Sequence, residues 1–407
     1  MKTSRRKFIG SSSALAVGAA LATLSPHTTR ANSFAVKELP NDQFDPWIEI
    51  ITEAARFNIN VLHRLSNKPI IAVIKNNGYG LGAEIIAGIL DDMPQVAGFA
   101  AVKTDACLSL RESGIRKPVL HMGMATEKEF YDLAANNIEL SIYSDNIRRT
   151  LEAISTKINL KIKVHQYIDT GMSRMGIPYH KALHWMQDIA ESSQIEVLGS
   201  FTCFTEDKAY DQEQLRRFME LVAKAKAKRI DMGKLHAASS NAIYHFPEST
   251  LDMVRPGITI YGAYPTYPEK EKAIGALKVA YRLNARVVRI VHLRTGDSVS
   301  YGREYTAEKP TWIATLPIGH ADGYIRKAVN GAKVLIGKKV YPVIGAVSAS
   351  HTILEIGNEP EVKIGDVATL IGPGHEEIHP SHISTVTGVS VYDILMHMNA
   401  NLPKIIT

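Results

Sequence analysis

Short apolar, β-branched runs alternate with amphipathic stretches between about residues 45 and 265. Eight of these runs have the length and composition of strands, at 70–74, 98–102, 118–122, 139–143, 160–168, 197–204, 234–238 and 253–261. Helical periodicity lies between them at 84–91, 104–112, 127–135, 146–154, 179–191 and 210–228. Eight strands separated by helices predict an α/β fold with a (β/α)8 TIM-type barrel. An open doubly wound sheet is the alternative, but no Gly-x-Gly-x-x-Gly fingerprint follows the first run.

The pattern changes near residue 276, where short β-rich segments are separated by Gly, Pro and Asp. These segments are 285–292, 311–316, 332–336, 339–344 and 366–371. Gly337-Lys338 lies between two of them and is typical of a tight hairpin, and one late helix is predicted at 390–398. We therefore predict a cofactor-binding barrel domain at 45–275 and a C-terminal all-β domain at 276–400.

The first 31 residues have the three parts of an export signal, which are a basic start, a weakly apolar run and a small-residue site ending at Ala31. Ser4-Arg5-Arg6-Lys7-Phe8-Ile9 is typical of a twin-arginine signal, with an ordinary secretory signal as the alternative. We expect cleavage of this segment and a periplasmic protein with no membrane-spanning segment afterwards.

The formal net charge of +6 belongs mainly to that leader. Five of the 47 basic residues lie in 1–31 together with no acid, so the remainder carries 42 basic against 41 acidic residues. A nearly neutral body lacks the positive surface that nucleic-acid binding requires, so we predict no nucleic-acid partner.

A lysine, Lys75, follows the first predicted strand directly. Functional residues of (β/α)8 barrels lie at the carboxyl ends of the strands. Burial there disfavours the charged ammonium, and a neutral amine is what Schiff-base chemistry with a carbonyl cofactor requires. The alternative is an ordinary surface lysine at a strand end.

Other strand ends supply anion-binding groups. The fifth strand leads into 169–176, which presents Arg174, and the seventh ends in His236-Ala237-Ala238-Ser239-Ser240. The eighth reaches Arg255-Pro256-Gly257-Ile258, where the glycine allows a bound group to approach the backbone. Hydroxyls and free N–H groups at strand ends suit a phosphate. An amine, a phosphate cradle and two arginines at one mouth together indicate pyridoxal phosphate.

The segment 72–80 resembles the pyridoxal-phosphate attachment motif of the alanine racemase family. Further segments resemble family signatures in the family's order, at 169–176, 255–262, 299–302 and 317–324. The resemblance spans about residues 45–400 and implies an N-terminal barrel followed by a C-terminal β domain. It also implies an amino-acid racemase, acting on alanine or a broader range of amino acids.

The resemblance implies a role for each matching residue. Lys75 and Tyr301 are the implied catalytic bases, with Tyr301 reaching the barrel of the partner subunit in a head-to-tail homodimer. Substrate contacts are implied for Arg174 and Ala349, and no metal is expected. The implied cofactor-binding residues are Lys75, Tyr79, Arg174, His236, Ser240, Arg255, Gly257, Ile258 and Tyr392. A decarboxylase or aldolase of the same fold and a non-catalytic cofactor-binding relative are the alternatives.

Several positions depart from the family pattern. Tyr167 stands where the family commonly has a lysine, and Cys203 where a histidine stacks on the cofactor. The others are Leu81, His320 and Ala349, the last in a loop that has lost a substrate-binding methionine. One hypothesis is a pocket for an amino acid other than, or larger than, alanine, and the other is neutral drift with alanine retained. Since Cys203 is expected in the barrel mouth, we predict no disulfide with Cys107.

Overall fold

A computed structural model describes residues 44–266, 268–359 and 361–407. The predicted export signal at 1–31 lies outside these residues and stays a prediction.

Eight parallel strands form a closed barrel, which confirms the predicted fold class. Closure is made by the pairing of Val254 with Ile70, between the last strand and the first. Every other neighbouring pair is also parallel. The strands are Ile70–Val73, Val96–Ala101, Val119–His121, Glu139–Ile142, Ile162–Asp169, Ile195–Phe201, Lys234–Ser239 and Met253–Arg255. The eighth is shorter than predicted because Pro256 lacks an N–H and the chain turns into a 3-10 helix, Ile258–Tyr261.

Helices on the outside of the barrel cover the strands with their apolar faces. Several begin at identifiable caps. The Thr126 side chain, for example, accepts from the Glu129 N–H and Glu129 reciprocates at the start of its helix. A helix before the first strand, Thr52–Ser66, was not predicted. The others are Ala83–Leu90, Thr104–Glu112, Glu127–Ala135, Ile147–Ile158, Tyr179–Ala190, Lys208–Ala227, Ser240–His245 and Pro268–Ile274.

The C-terminal region is built on a nine-stranded sheet with two short helices, Pro380–Thr387 and Val391–Met396. In spatial order its strands are Arg289–Leu293, Thr311–Leu316, Thr352–Gly357, Lys339–Ile344, Lys333–Ile336, Val367–Ile371, Tyr281–Arg286, Trp47–Ile50 and Lys404–Ile406. All pairs are antiparallel except the last. The predicted hairpin is present, since Ile336 pairs with Lys339 across Gly337-Lys338.

Two strands of this sheet differ from the sequence prediction. The single strand expected at 285–292 is divided, because Val287 donates to the Asp366 carbonyl while Val288 donates to that of Thr315, so the chain changes partners there. Trp47–Ile50 falls in the region predicted as barrel, yet it pairs with Tyr281–Arg286 in the C-terminal sheet. The chain therefore starts in one sheet before it enters the other.

A separate two-stranded hairpin, Ser298–Val299 with Tyr305–Thr306, carries the segment around Tyr301. Within the residues that the structure describes, no helix combines the length and the apolar character needed to cross a bilayer.

Candidate active site

A cavity of about 570 Å3 opens where the barrel strands end. It brings together seven of the predicted site residues, which are Lys75, Tyr79, Arg174, Ser240, Arg255, Gly257 and Tyr392. A larger cavity of about 710 Å3, lined mainly by residues of 264–282 and 373–385, contains none of them. The site chemistry therefore lies in the smaller cavity, at the barrel mouth.

Lys75 is held at the mouth by an unusual turn. The residues after it have left-handed backbone angles, with φ of 53° at Asn76, 54° at Asn77, 60° at Gly78 and 56° at Tyr79. Asparagine and glycine tolerate this region, whereas tyrosine adopts it only where the surrounding packing requires it. The turn reverses the chain immediately after the strand, so Lys75 and Tyr79 both face the cavity.

The surroundings of Lys75 favour its neutral form. Burial lowers the pKa of the Lys75 ammonium, and the positive charge of Arg174 lowers it further. A lysine that releases its proton more easily is a better nucleophile towards a carbonyl and a better base.

Tyr79 and the backbone at Gly257 form one wall of the cavity. A Cβ on Gly257 would lie 2.1 Å from the Tyr79 Oη, so only glycine fits there. The Gly257 N–H donates to the Ser240 Oγ at 2.9 Å, and this oxygen lies 3.0 Å from the Thr259 Oγ1. Ile258 is the first residue of the following 3-10 helix, so its N–H has no partner within that helix. With the Tyr392 hydroxyl on the same cavity, these donors fit a phosphate group.

Arg255 is buried and belongs to a chain of four hydrogen-bonded side chains. Its Nη1 lies 2.9 Å from the His236 Nδ1, the His236 Nε2 lies 2.9 Å from the His165 Nδ1, and the His165 Nε2 lies 2.9 Å from a Glu139 oxygen. Because arginine can only donate, the His236 Nδ1 accepts. Each histidine must then donate from its Nε2, and the chain ends on a carboxylate that accepts.

Burial keeps these four hydrogen-bonded side chains in one protonation pattern. The pKa of His236 lies well below its usual value because the ring is buried, and because Arg255 and His165 are close. A neutral His236 can accept from Arg255, whereas a protonated one would repel it. Arg255 also donates to the carbonyls of Thr202 and His236 at 2.7 Å, so its guanidinium is fixed from behind.

Tyr167 replaces the lysine usual in the family and lies beside Arg174. Its hydroxyl lies close to Arg174 and Cys203, and its ring stacks on Phe201 with centroids 4.3 Å apart. Phe201 in turn stacks on His236 at 5.0 Å. The departures at Tyr167 and Cys203 are therefore parts of one packed layer under the cavity.

Both cysteines are free, as predicted. Cys203 lines the cavity with its sulfur 3.6 Å from an Arg255 nitrogen, while Cys107 is buried in the helix Thr104–Glu112. The histidine implied at the cofactor face by the family pattern is thus replaced by a smaller group beside the arginine.

Four predicted site residues do not line this cavity: the buried His236 and Ile258, and also Tyr301 and Ala349. Tyr301 is 79% exposed at the tip of the hairpin Ser298–Val299 with Tyr305–Thr306, between two residues with positive φ, Ser300 at 66° and Arg303 at 55°. The Ala349 carbonyl accepts from the Ala321 N–H at 3.0 Å in the C-terminal region. Within one chain, the structure does not bring Tyr301 and Ala349 to Lys75.

The sequence reasoning missed His165 and Glu139. His165 and Tyr167 are two residues apart in the fifth strand, so both point into the barrel, and two polar residues on that face were the available signal. Their partners on other strands depend on the register and were not visible. Among the described residues, no group of three or more His, Cys, Asp or Glu is arranged to hold a metal ion.

Comparison with known families and proteins covers most of the chain. The family model for the alanine racemase N-terminal domain matches residues 50–265, and that for the alanine racemase C-terminal domain matches residues 280–406. An alanine racemase of Methanococcus maripaludis is 33% identical over 88% of this chain and 98% of its own length. One of Clostridium perfringens is 34% identical over 88% of this chain and 94% of its own length.

Solved structures show the same similarity. The alanine racemase of Clostridium difficile 630 superimposes with a TM-score of 0.82 at 29% identity, covering 89% of this chain and 95% of the other. The alanine racemase of Bacillus anthracis, solved with bound L-Ala-P, gives a TM-score of 0.78 at 27% identity over 90% of this chain and 95% of the other.

Replacing Arg174 with Gln should move the pH dependence of pyridoxal-phosphate capture by the cofactor-free protein to higher pH. The positive charge of Arg174 lowers the pKa of Lys75, so its removal raises that pKa, and a higher pH is needed for the neutral amine. The measurement is the rate of appearance of the bound cofactor's absorbance across a pH series. Arg174→Lys keeps the charge and should keep the midpoint. Rates reduced by one factor at every pH in the Gln variant would contradict this coupling.

Proposed function

Because the chain belongs to the alanine racemase family, it is a pyridoxal-phosphate-dependent amino-acid racemase, and we propose that Lys75 and Tyr301 are its two bases. The observation that carries this assignment is the convergence of a deprotonation-prone lysine, a fixed arginine and a phosphate cradle at one barrel mouth. No observation favours decarboxylation or aldol cleavage.

The residues around the cavity fit the cofactor. The hydroxyls of Tyr79, Ser240 and Tyr392 and the N–H groups at Gly257 and Ile258 would hold its phosphate. Arg255 would face the pyridine nitrogen, and since arginine can only donate, that nitrogen must accept and stays unprotonated. When bound, the cofactor withdraws electrons from the substrate Cα and so makes its proton more acidic.

Arg255 and His236 would limit how strongly the bound cofactor withdraws electrons from the substrate. A pyridine nitrogen kept unprotonated makes the cofactor a weaker electron sink, which suppresses side reactions such as transamination. The hydrogen-bond chain through His165 to Glu139 keeps His236 an acceptor, so Arg255 stays in place.

Inversion at Cα requires that a proton leave one face and another arrive on the opposite face. Lys75 serves one face from the barrel mouth. A tyrosine of ordinary pKa near 10 is a weak base at neutral pH, so its pocket must assist it. Arg174, which lies beside Tyr167, would orient the substrate carboxylate so that Cα lies between the two bases.

We infer that the second base comes from another copy of the chain, in a head-to-tail homodimer. Tyr301 is the most exposed of the large apolar side chains of the described residues and lies outside the cavity of its own chain. A catalytic position beside a Lys75 side chain would be available to it when the hairpin enters a partner's barrel mouth. Ala349 would reach the substrate in the same way.

We also propose that the enzyme acts in the periplasm after export of the folded chain. The support is the twin-arginine pattern at Arg5-Arg6 followed by an apolar run and a small-residue site. A folded export route suits an enzyme whose cofactor must be bound before it leaves the cytoplasm.

Replacing Tyr301 with Phe should lower L-to-D interconversion by about 100-fold to 10,000-fold, the range typical for loss of an acid–base group. Cofactor binding should persist because Lys75 is intact. In deuterated water the variant should still exchange the Cα proton of one enantiomer, since Lys75 serves one face. Chiral chromatography with mass detection measures both the inversion and the deuterium exchange. Tyr305→Phe, in the same hairpin, is the control, and unchanged inversion in Tyr301→Phe would reject the assignment.

Mixing two inactive variants tests the shared site. In a dimer of Lys75→Ala with Tyr301→Phe, one mouth keeps its lysine and receives the intact tyrosine, while the other lacks both. Random exchange of equal amounts should restore roughly a quarter of the normal activity. No recovery, with dimers verified by mass, would show that both bases act within one chain.

Replacing Arg5 and Arg6 together with Lys should retain the full-length precursor in the cytoplasm. The total charge is kept, but the guanidinium pair that a twin-arginine receptor reads is lost. Lys2→Arg is the control for altered basic residues. Cell fractionation measures the result, and normal release of the processed double variant would contradict the route.

A further inference from the structure

One charged side chain of the cavity has no role in the chemistry described so far. Glu206 is the only carboxylate among the described residues that line the cavity around Lys75. The other Asp, Glu, Lys or Arg side chains there are Lys75, Arg174 and Arg255, and all three are basic. These three have roles towards the cofactor or the substrate carboxylate, whereas Glu206 has none.

The loop that carries Glu206 is built to present it. Its backbone has a positive φ of 69°, which is costly for a residue with a side chain. On one side, the Thr205 N–H donates to Asp211 at 2.9 Å and its hydroxyl donates to the same oxygen at 2.9 Å. On the other side, Asp207 caps the helix Lys208–Ala227 by accepting from the Tyr210 N–H. Contacts on both sides therefore hold the strained residue in place.

The Glu206 carboxylate is available for a ligand. In residues 44–266, 268–359 and 361–407 its side chain forms no ion pair and no hydrogen bond. Asp211 and Glu271 lie close enough to add negative potential at this edge of the cavity, and His245, which is paired with Glu271, offsets part of it. A carboxylate without a basic partner in contact, with other carboxylates nearby, favours a cation.

The wall of the cavity suits a long aliphatic chain. Met122, Met172 and Met175 line it together with Val102. Methionine side chains are flexible and unbranched, so they adapt to ligands of different length. Cys203, in place of the larger histidine usual in the family, leaves additional room beside Arg255.

We propose that Glu206 binds a positively charged group at the end of the substrate side chain, so that the enzyme racemises amino acids with long cationic side chains, such as lysine, ornithine and arginine. This inference rests on the proposed racemase function and specifies its substrate class. With the α-carboxylate at Arg174, the substrate side chain extends along the methionines towards the loop after the sixth strand. The ammonium or guanidinium group loses contacts with water when it enters the cavity, and a charge-assisted hydrogen bond to the Glu206 carboxylate replaces them.

The test compares three substrates that differ at the side chain. L-Lysine carries the cation, L-norleucine has the same carbon chain without it, and L-alanine is too short to reach Glu206. We expect kcat/KM for lysine to exceed that for norleucine by about tenfold or more in the unaltered holoenzyme, as a charge-assisted hydrogen bond predicts. In Glu206→Gln this preference should disappear, while the values for alanine and norleucine stay within about twofold.

A matched control and a cofactor measurement separate the possible roles of Glu206. Glu248→Gln removes an equal charge from an exposed residue outside the cavity and should leave the lysine preference unchanged. The dissociation constant of pyridoxal phosphate should be the same in Glu206→Gln and in the unaltered protein.

Three results would overturn the proposal. They are no preference for lysine over norleucine, a preference that survives in Glu206→Gln, and an equal loss for all three substrates with weaker cofactor binding. The last result would place Glu206 at the phosphate through its neighbour Tyr392. Failure to invert any of the three amino acids would instead reject the racemase function itself.

Discussion

The pairing of Val254 with Ile70 closes the barrel, and the whole site depends on that closure. It places the carboxyl ends of all eight strands around one mouth, so residues far apart in sequence share a cavity of a few hundred cubic ångströms. Lys75 follows the first strand and Arg255 ends the eighth, and the closing pair makes them neighbours. In an open sheet these strands would be its two edges. Closure also requires a glycine at position 257. The backbone that follows the eighth strand passes so near the Tyr79 hydroxyl that no side chain fits there.

Arg255 carries a positive charge at this mouth, and among the described residues no carboxylate is in contact with it. Its negative counterpart, Glu139, lies at the far end of two histidines. A carboxylate in direct contact would cancel the positive potential that the cavity receives from the guanidinium. The two histidine rings transmit orientation instead, since each donates in one direction along the chain of hydrogen bonds. The arginine is therefore fixed in position while its charge stays directed at the cavity.

Much of this arrangement could be predicted from local sequence. The barrel strands matched the β-branched runs, and Lys75, Arg174, Ser240 and Arg255 stood at strand ends. What could not be predicted depends on non-local pairing. Trp47–Ile50 reads as an ordinary apolar strand, and only its contact with Tyr281–Arg286 decides which sheet contains it. His165 and Glu139 needed the register of the fourth, fifth and seventh strands, and Glu206 lies in an irregular loop after a strand, where periodicity carries no information.

The left-handed turn after Lys75 also affects the chemical ageing of the protein. It contains Asn77-Gly78, a pair that in flexible chains loses ammonia when the glycine nitrogen attacks the asparagine side chain. Here the Gly78 N–H donates to the Ile74 carbonyl at 3.0 Å, and the Asn77 Oδ1 accepts from the Ala83 N–H at 3.3 Å. The attacking and attacked groups are thus each held by another partner. This Asn-Gly pair, whose asparagine lies two residues from Lys75, is therefore kept in a conformation that resists deamidation.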